Sequence, residues 1–185
     1  VHVYLKLNGQ RIVEDIWFVV AIPIFLYTNG WDFWEVGGFL AGWTVFYGLV
    51  QAIAPNIIHL TNNGKTVSSK SILVWSISLA LVPLCLLGIM LAKTDLLLLL
   101  SGLVLFGFVF AINSSLHSFL IVAYAGSKKA AEDIGFYYAA NAAGRLFGTF
   151  LSGLLFQQGG VLACLAGTTL FLIATSVVVW RLPEL

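Results

Sequence analysis

The apolar positions of this chain are grouped in long runs rather than in an alternating or one-faced pattern. Six runs reach the roughly 20 residues that a helix needs to cross a hydrocarbon core of about 30 Å. They cover approximately residues 11–29, 35–58, 71–92, 96–125, 134–156 and 161–180. Polar or turn-forming stretches such as Asn29-Gly30, Asn62-Asn63-Gly64 and Gly159-Gly160 separate them. The pattern predicts an all-α membrane protein with six transmembrane helices.

Composition and charge restrict the possible partners. The chain is 60% hydrophobic and 9% charged, with a mean hydropathy of +0.99, whereas a soluble domain carries about 25% charged residues. Its surface is therefore expected to face the lipid bilayer. The net charge is +1 and no basic run is dense enough to neutralise a row of phosphates, which argues against nucleic acid. Cys85 and Cys164 lie inside apolar runs and resemble small hydrophobes, so we expect no metal and no cofactor.

The distribution of cations predicts the orientation, because cytoplasmic loops carry an excess of Lys and Arg. The cations near the ends of the spans all lie on one side of the predicted topology, except Lys93. They are Lys6, Arg11, Lys65, Lys70, Lys128, Lys129 and Arg181. Both ends are therefore predicted to be cytoplasmic. The chain starts at Val1 and shows no signal-peptide pattern. We expect residues 1–10 to be a cytoplasmic linker from a missing N-terminal half, and residues 11–185 to be a six-helix transmembrane bundle.

Arg145 lies near the middle of the predicted span 134–156, where a charge costs about 2.5–3.5 kcal/mol. Tyr137, Asn141 and Arg145 follow one another at intervals of four residues and form a polar stripe on one helix face. A cation at this depth is expected to face a wet cavity or an anion. Alternatively, Arg145 is a structural residue paired with a carboxylate or a carbonyl at a helix interface.

Two other polar groups lie in predicted spans. Asn113 and His117 are one turn apart in the fourth span, where the imidazole either binds an oxyanion, carries a coupling proton or braces neighbouring helices. Arg11, Glu14 and Asp15 occupy the start of the first span. Arg11 and Asp15, four residues apart, are predicted to form a solvated ion pair at the cytoplasmic membrane edge, with gating or proton coupling as the alternative.

The sequence contains none of the common catalytic motifs. There is no Gly-x-Ser-x-Gly, no His-Glu-x-x-His, no Cys-x-x-Cys and no phosphate-binding Gly-x-x-x-x-Gly-Lys. An intramembrane hydrolase built on Ser115 and His117 has little support. The chain is therefore predicted not to be an enzyme.

Six spans with cytoplasmic ends resemble the C-terminal half of a major facilitator superfamily transporter. Within that superfamily the chain is similar to the ArsJ-type organoarsenical efflux permeases. The similarity rests on Glu14-Asp15-Ile16-Trp17-Phe18-Val19-Val20, on Phe110-Ala111-Ile112-Asn113-Ser114-Ser115-Leu116-His117-Ser118, and on residues 135–148, which include Asn141-Ala142-Ala143-Gly144-Arg145. The loop at residues 55–65 departs from the Gly- and Arg-rich signature that facilitators often carry there.

The resemblance implies secondary efflux of an anionic small-molecule substrate across the bacterial inner membrane. The substrate would be 1-arseno-3-phosphoglycerate, made by a partner glyceraldehyde-3-phosphate dehydrogenase acting on arsenate, and its export would confer arsenate resistance. An anionic substrate requires cations and hydrogen-bond donors in the cavity. The expected set is Arg145, His117, Asn113, Asn141 and Tyr137. The alternatives are a facilitator for another small anion or drug, and a structural membrane protein without transport activity.

Overall fold

The computed structural model describes residues 15–61, 69–93, 95–124 and 130–180. Within these ranges the chain forms helices and short turns, with no strand. The helices are α1 (Ala21–Thr28), α2 (Phe33–Thr61), α3 (Ser69–Ala92), α4 (Leu96–Tyr124) and α5 (Ala130–Trp180). Residues 15–18 form a helical turn just before α1, and the stretch Asp15–Thr28 is called the first segment. The predicted linker at residues 1–10 lies outside the described residues.

Helices α2, α3, α4 and α5 are each long and apolar enough to cross a membrane. Their outer surfaces carry exposed aliphatic side chains, among them Leu49, Leu105, Leu146 and Leu170. A helix can lie in lipid because its backbone hydrogen bonds are satisfied internally. The prediction of a helical, membrane-embedded protein is therefore confirmed at this level. The first segment is shorter, and the count of six crossings stays a prediction.

The predicted break after the first apolar run is a tight turn with defined caps. Gly30 adopts φ +91°, a conformation that favours glycine. The Trp31 N–H donates to the Leu26 carbonyl at 3.1 Å and so closes the end of α1. At the start of α2, Asp32 and Glu35 each accept a 2.8 Å hydrogen bond from the other's backbone N–H. Local polar chemistry therefore fixes this connection.

Helix α5 reverses direction at Gly159 and Gly160. Both have non-helical backbone angles, and Gly160 adopts φ +60°. On the two sides of this break, the Cys164 thiol donates to the Ser152 carbonyl at 3.7 Å. Twelve residues of straight helix would separate these positions by about 18 Å. The parts of α5 before and after the glycines therefore pack against each other as a hairpin, at the break that the sequence predicted.

Aromatic side chains join the first segment to α2 and α4. The ring centroids of Trp17 and Phe106 are 4.8 Å apart, and those of Phe18 and Trp43 are 4.2 Å apart. Trp43 also stacks on Tyr47 at 5.8 Å. Phe106 in α4 and Trp43 in α2 both lie in the middle third of their helices. Since Trp17 and Phe18 contact these residues, the start of the first segment lies at mid-height in the bundle.

A glycine on α4 allows the close approach of Trp43. The indole Nε1 of Trp43 donates to the Leu103 carbonyl at 2.9 Å. A Cβ at Gly107 would lie 2.9 Å from two carbons of the same indole, which is too close for an undisturbed contact. Gly107 is therefore required here for packing between α2 and α4.

Candidate functional site

Arg145 forms an ion pair with Asp15 across the bundle. The distance from its Nε to the Asp15 Oδ2 is 3.3 Å. Arg145 lies near the middle of the first half of α5, and Asp15 belongs to the part of the first segment that lies at mid-height. The pair therefore lies well inside the apolar part of the protein. There, each charge offsets much of the cost that the other would have alone.

The two partners differ sharply in exposure. The Asp15 side chain is 3% exposed, whereas the Arg145 side chain is 66% exposed. The carboxylate is thus enclosed by the bundle, while much of the guanidinium remains accessible. The contact with Asp15 is through Nε, and an arginine fork has further N–H donors on its two terminal nitrogens. Those donors are the ones that a ligand approaching from outside this bundle would meet.

Asp15 is enclosed rather than solvated, and the predicted pair between Arg11 and Asp15 stays a prediction. Its carboxylate is buried at mid-height and pairs with Arg145, because the first segment packs with this residue towards α5. Arg11 and Glu14, the other members of the predicted cluster, lie outside the described residues. Of the two roles predicted for Arg145, the structure shows the pairing with a carboxylate, and the exposed guanidinium leaves an anion-binding role available.

Asn113 and His117 lie together on α4, as their spacing predicted. Both are buried, and the His117 Nδ1 is 2.8 Å from the Asn113 carbonyl oxygen. Since a carbonyl only accepts, Nδ1 carries the proton of this hydrogen bond. If the ring is neutral, the proton is therefore on Nδ1 rather than Nε2. This geometry fixes the orientation of the imidazole.

The side-chain amide of Asn113 is unusual among the described polar groups. The residue is 0% exposed, and neither its Oδ1 nor its Nδ2 has a hydrogen-bond partner among the described residues. A buried polar group without a partner costs about 1–3 kcal/mol. Among the described residues, the Asn113 side chain therefore does not brace α4 against a neighbouring helix by a hydrogen bond.

The three residues of the predicted polar stripe on α5 differ in how far their side chains are exposed. Tyr137 is buried and its ring packs edge-on to Tyr138, with centroids 5.5 Å apart. Asn141 is half-buried, and its Oδ1 has no hydrogen-bond partner among the described residues. Arg145 is exposed. The stripe therefore leads from the protein interior to an accessible cation.

The start of the first segment contacts both α4 and α5. Asp15 contacts α5 through Arg145, whereas Trp17 contacts α4 through Phe106. Two residues are about 200° apart around a helix, so these side chains point to opposite sides. Asn113 and His117 follow Phe106 along the same face of α4, at helical spacing.

Trp17 was given no role from the sequence, yet it occupies a central position. Its side chain is 0% exposed, and its Nε1 has no hydrogen-bond partner among the described residues. A buried indole N–H usually has a partner. The sequence signal was present in the Trp17-Phe18 pair inside an apolar run, but an aromatic pair at such a position is typical of ordinary packing.

Three grooves lined by described residues contain none of these polar groups. One of about 340 Å³ lies between α3 and the end of α5 and is lined by Leu81, Ile173 and Trp180, among others. Its lining is almost entirely apolar, which is typical of a surface that contacts lipid chains. Among the described residues, no group of three His, Cys, Asp or Glu side chains is placed to hold a metal ion.

No protein-family model matches the chain, and neither a curated protein nor a solved structure matches it. The geometry of the polar groups is therefore the main basis for a functional conclusion.

Proposed function

We propose that this chain is part of a membrane transporter for a small anion, with Arg145 as the residue that binds the anion. The observation that carries the proposal is the ion pair with Asp15, in which the cation is accessible and the anion is enclosed. The contact with Asp15 is through the Arg145 Nε, so the ion pair does not account for the exposure of the rest of the side chain. The exposed guanidinium presents donors suited to a carboxylate, phosphate or arsenate oxygen.

The surroundings of Arg145 support a covered site in the assembled protein. Leu146 and Phe147 beside it are 76% and 50% exposed, so Arg145 emerges among apolar side chains. A cation facing lipid directly would be costly. A second membrane domain that packs against this face would enclose Arg145 and turn the accessible guanidinium into the wall of a cavity.

The finer proposal follows the resemblance described above. The chain would be the C-terminal half of a major facilitator transporter, with six crossings and both ends in the cytoplasm of a bacterial inner membrane. The N-terminal half would supply the covering domain. The substrate would be 1-arseno-3-phosphoglycerate, produced with the partner glyceraldehyde-3-phosphate dehydrogenase. His117, Asn113, Asn141 and Tyr137 would donate hydrogen bonds, while Arg11, Glu14 and Asp15 would serve gating or proton coupling.

Arsenate resistance tests the substrate. The complete gene is expressed in an arsenate-sensitive host with and without the dehydrogenase, and growth is measured against arsenate concentration. We expect increased resistance only when both proteins are present. No gain in resistance would exclude the arsenical and leave transport of another small anion or drug to be measured directly.

A matched pair of variants tests the role of Arg145. Arg145→Ala removes the cation of an ion pair inside the bundle, and Lys93→Ala removes the cation of a 3.4 Å pair with Asp95 at a helix end. Both proteins are compared at equal amounts in the membrane. Export should be lost in Arg145→Ala and retained in Lys93→Ala. Equal export by the two variants would contradict the proposal.

The enclosed carboxylate also favours a structural role for the pair, and a double variant separates the two roles. Arg145→Gln alone leaves Asp15 buried without the guanidinium. Removing one partner of a buried ion pair costs about 3–5 kcal/mol, so the folded yield should fall. Adding Asp15→Asn removes both charges and should restore the yield. If the pair only braces helices, export returns with the yield. If Arg145 binds the anion, export stays absent.

A further inference from the structure

We infer that Asp15 couples anion binding at Arg145 to uptake of a proton, so that anion and proton bind together and travel in the same direction. The inference rests on the proposed function and adds the sign of the coupling. Efflux systems can also exchange a substrate for an incoming proton. The arrangement of this ion pair opposes such an exchange.

The sign follows from the charges. When Asp15 is ionised, its carboxylate 3.3 Å from the Arg145 Nε compensates the cation and repels an incoming anion. When Asp15 is protonated, the guanidinium keeps its charge, because arginine does not titrate in proteins, and the repulsion disappears. Protonation thus tightens anion binding, and by reciprocity a bound anion favours protonation.

The anion and the proton bind at different positions, because the Arg145 and Asp15 side chains differ in exposure. The anion reaches the accessible guanidinium, whereas the proton resides on a carboxylate that is 3% exposed. Since the two ligands bind to different atoms, one does not displace the other. A dianion that leaves with one proton carries one net negative charge, so an inside-negative membrane potential drives its export. The potential, rather than an inward proton gradient, would then supply the energy.

Other titratable groups near the pair must be distinguished from Asp15. His117 lies on α4, three turns after the Phe106 that contacts Trp17, and Tyr137 lies two turns before Arg145 on α5. Arg11 and Glu14 precede Asp15 and lie outside the described residues. Among the other charged or titratable residues whose side chains the structure describes, cysteines apart, Tyr47 lies in the middle of α2 and Tyr138 lies beside Tyr137 on α5. The rest lie near helix ends: Tyr27, Asp32, Glu35, His59, Lys93, Asp95 and Glu132.

Calorimetry of sulfate binding to the product of the complete gene in lipid nanodiscs tests the inference. Sulfate is a suitable probe because its own charge is constant over the range in which side-chain carboxylates and imidazoles titrate. Titrations in buffers of different ionisation enthalpy give the number of protons taken up per bound anion. We expect uptake approaching one proton in the pH range where Asp15 is ionised before binding, and affinity that increases as the pH falls.

Single variants assign the proton. Asp15→Asn imitates the protonated carboxylate, so it should bind sulfate about tenfold tighter in that range and show no proton uptake. Uptake should persist in His117→Gln and in Glu14→Gln. Uptake that persists in Asp15→Asn, or weaker binding by this variant, would overturn the inference.

The outcomes separate the inference from the proposed function. Sulfate binding that is lost in Arg145→Ala but involves no proton uptake, or involves release, overturns the coupling and leaves the anion site in place. Binding that is absent, or unchanged in Arg145→Ala, at every pH overturns both. Circular dichroism of each variant in the same nanodiscs confirms that it is folded.

Discussion

The close contact between Gly107 and Trp43 makes a quantitative prediction about helix packing. Gly107→Ala adds a Cβ that would lie 2.9 Å from two carbons of the indole. The ring has little freedom to move, because it packs against Phe18 and stacks on Tyr47 while its Nε1 is hydrogen-bonded to the Leu103 carbonyl. The substitution should therefore force α2 and α4 apart or displace the indole.

The magnitude is the sum of two contributions. Overpacking of a well-packed interior costs about 1–3 kcal/mol, and loss of a hydrogen bond between membrane helices costs about 0.6 kcal/mol on average. Gly48→Ala is the matched control, since Gly48 is also helical and its Cβ would meet nothing within 4 Å. The intrinsic helix preference of alanine is then common to both variants. We expect Gly107→Ala to be less stable than Gly48→Ala by about 1.5–3.5 kcal/mol.

The free energy of unfolding is measured for both variants by titration with a denaturing detergent, followed by circular dichroism. A third variant tests the mechanism: Trp43→Phe removes the atoms that collide, so in its background Gly107→Ala should cost at least about 1 kcal/mol less. Stabilities of Gly107→Ala and Gly48→Ala that agree within about 0.5 kcal/mol would refute the packing argument.

Three further predictions concern buried polar groups and a helix cap. Trp17→Phe removes an indole N–H without a partner among the described residues, so the melting temperature of the variant should be unchanged or higher. Trp17→Ala should instead lower the free energy of unfolding by about 3–5 kcal/mol, and thermal unfolding of the two variants compares them. Asn113→Leu should raise the melting temperature and lower anion export. If the variant is more stable and exports the anion normally, Asn113 does not belong to the anion site. The backbone N–H groups of Leu98 and Leu97 hold the pKa of Asp95 below its ordinary value of 3.8. Its contribution to stability is therefore complete above 3.8 and is lost as the pH falls through the lowered pKa. Asp95→Ala should accelerate amide exchange in the first turn of α4 at neutral pH but make little difference in strong acid, and an equal effect at both would contradict the capping role.

The helices and their ends were largely predictable because their signals are local. Apolar runs of sufficient length become helices, and the breaks at Gly30 and Gly160 use conformations that other residues rarely adopt. The Asn113 and His117 pair was predictable for the same reason, since helical spacing alone places them on one face. The sequence did not determine how many of the runs cross a membrane.

The partner of Arg145 was not predictable, because no local rule connects residues in the first and last helices. The cation nearest to Asp15 in the sequence is Arg11, four residues before it, and local spacing therefore predicted Arg11 as its ion-pair partner. The different exposures of Tyr137 and Arg145 on one stripe were also hidden, since they depend on which neighbouring helices cover each turn of α5. Pairing between distant helices is a property of the packed bundle.

The ion pair between Asp15 and Arg145 can form only late in the biosynthesis of the protein. Asp15 belongs to the first described helical turn, and Arg145 belongs to the hairpin of α5, which the ribosome makes last among the described helices. Until α5 enters the bilayer, the guanidinium that compensates this carboxylate does not exist. A nascent chain that stops before α5 thus lacks the guanidinium that joins the first segment to the last hairpin in the finished bundle.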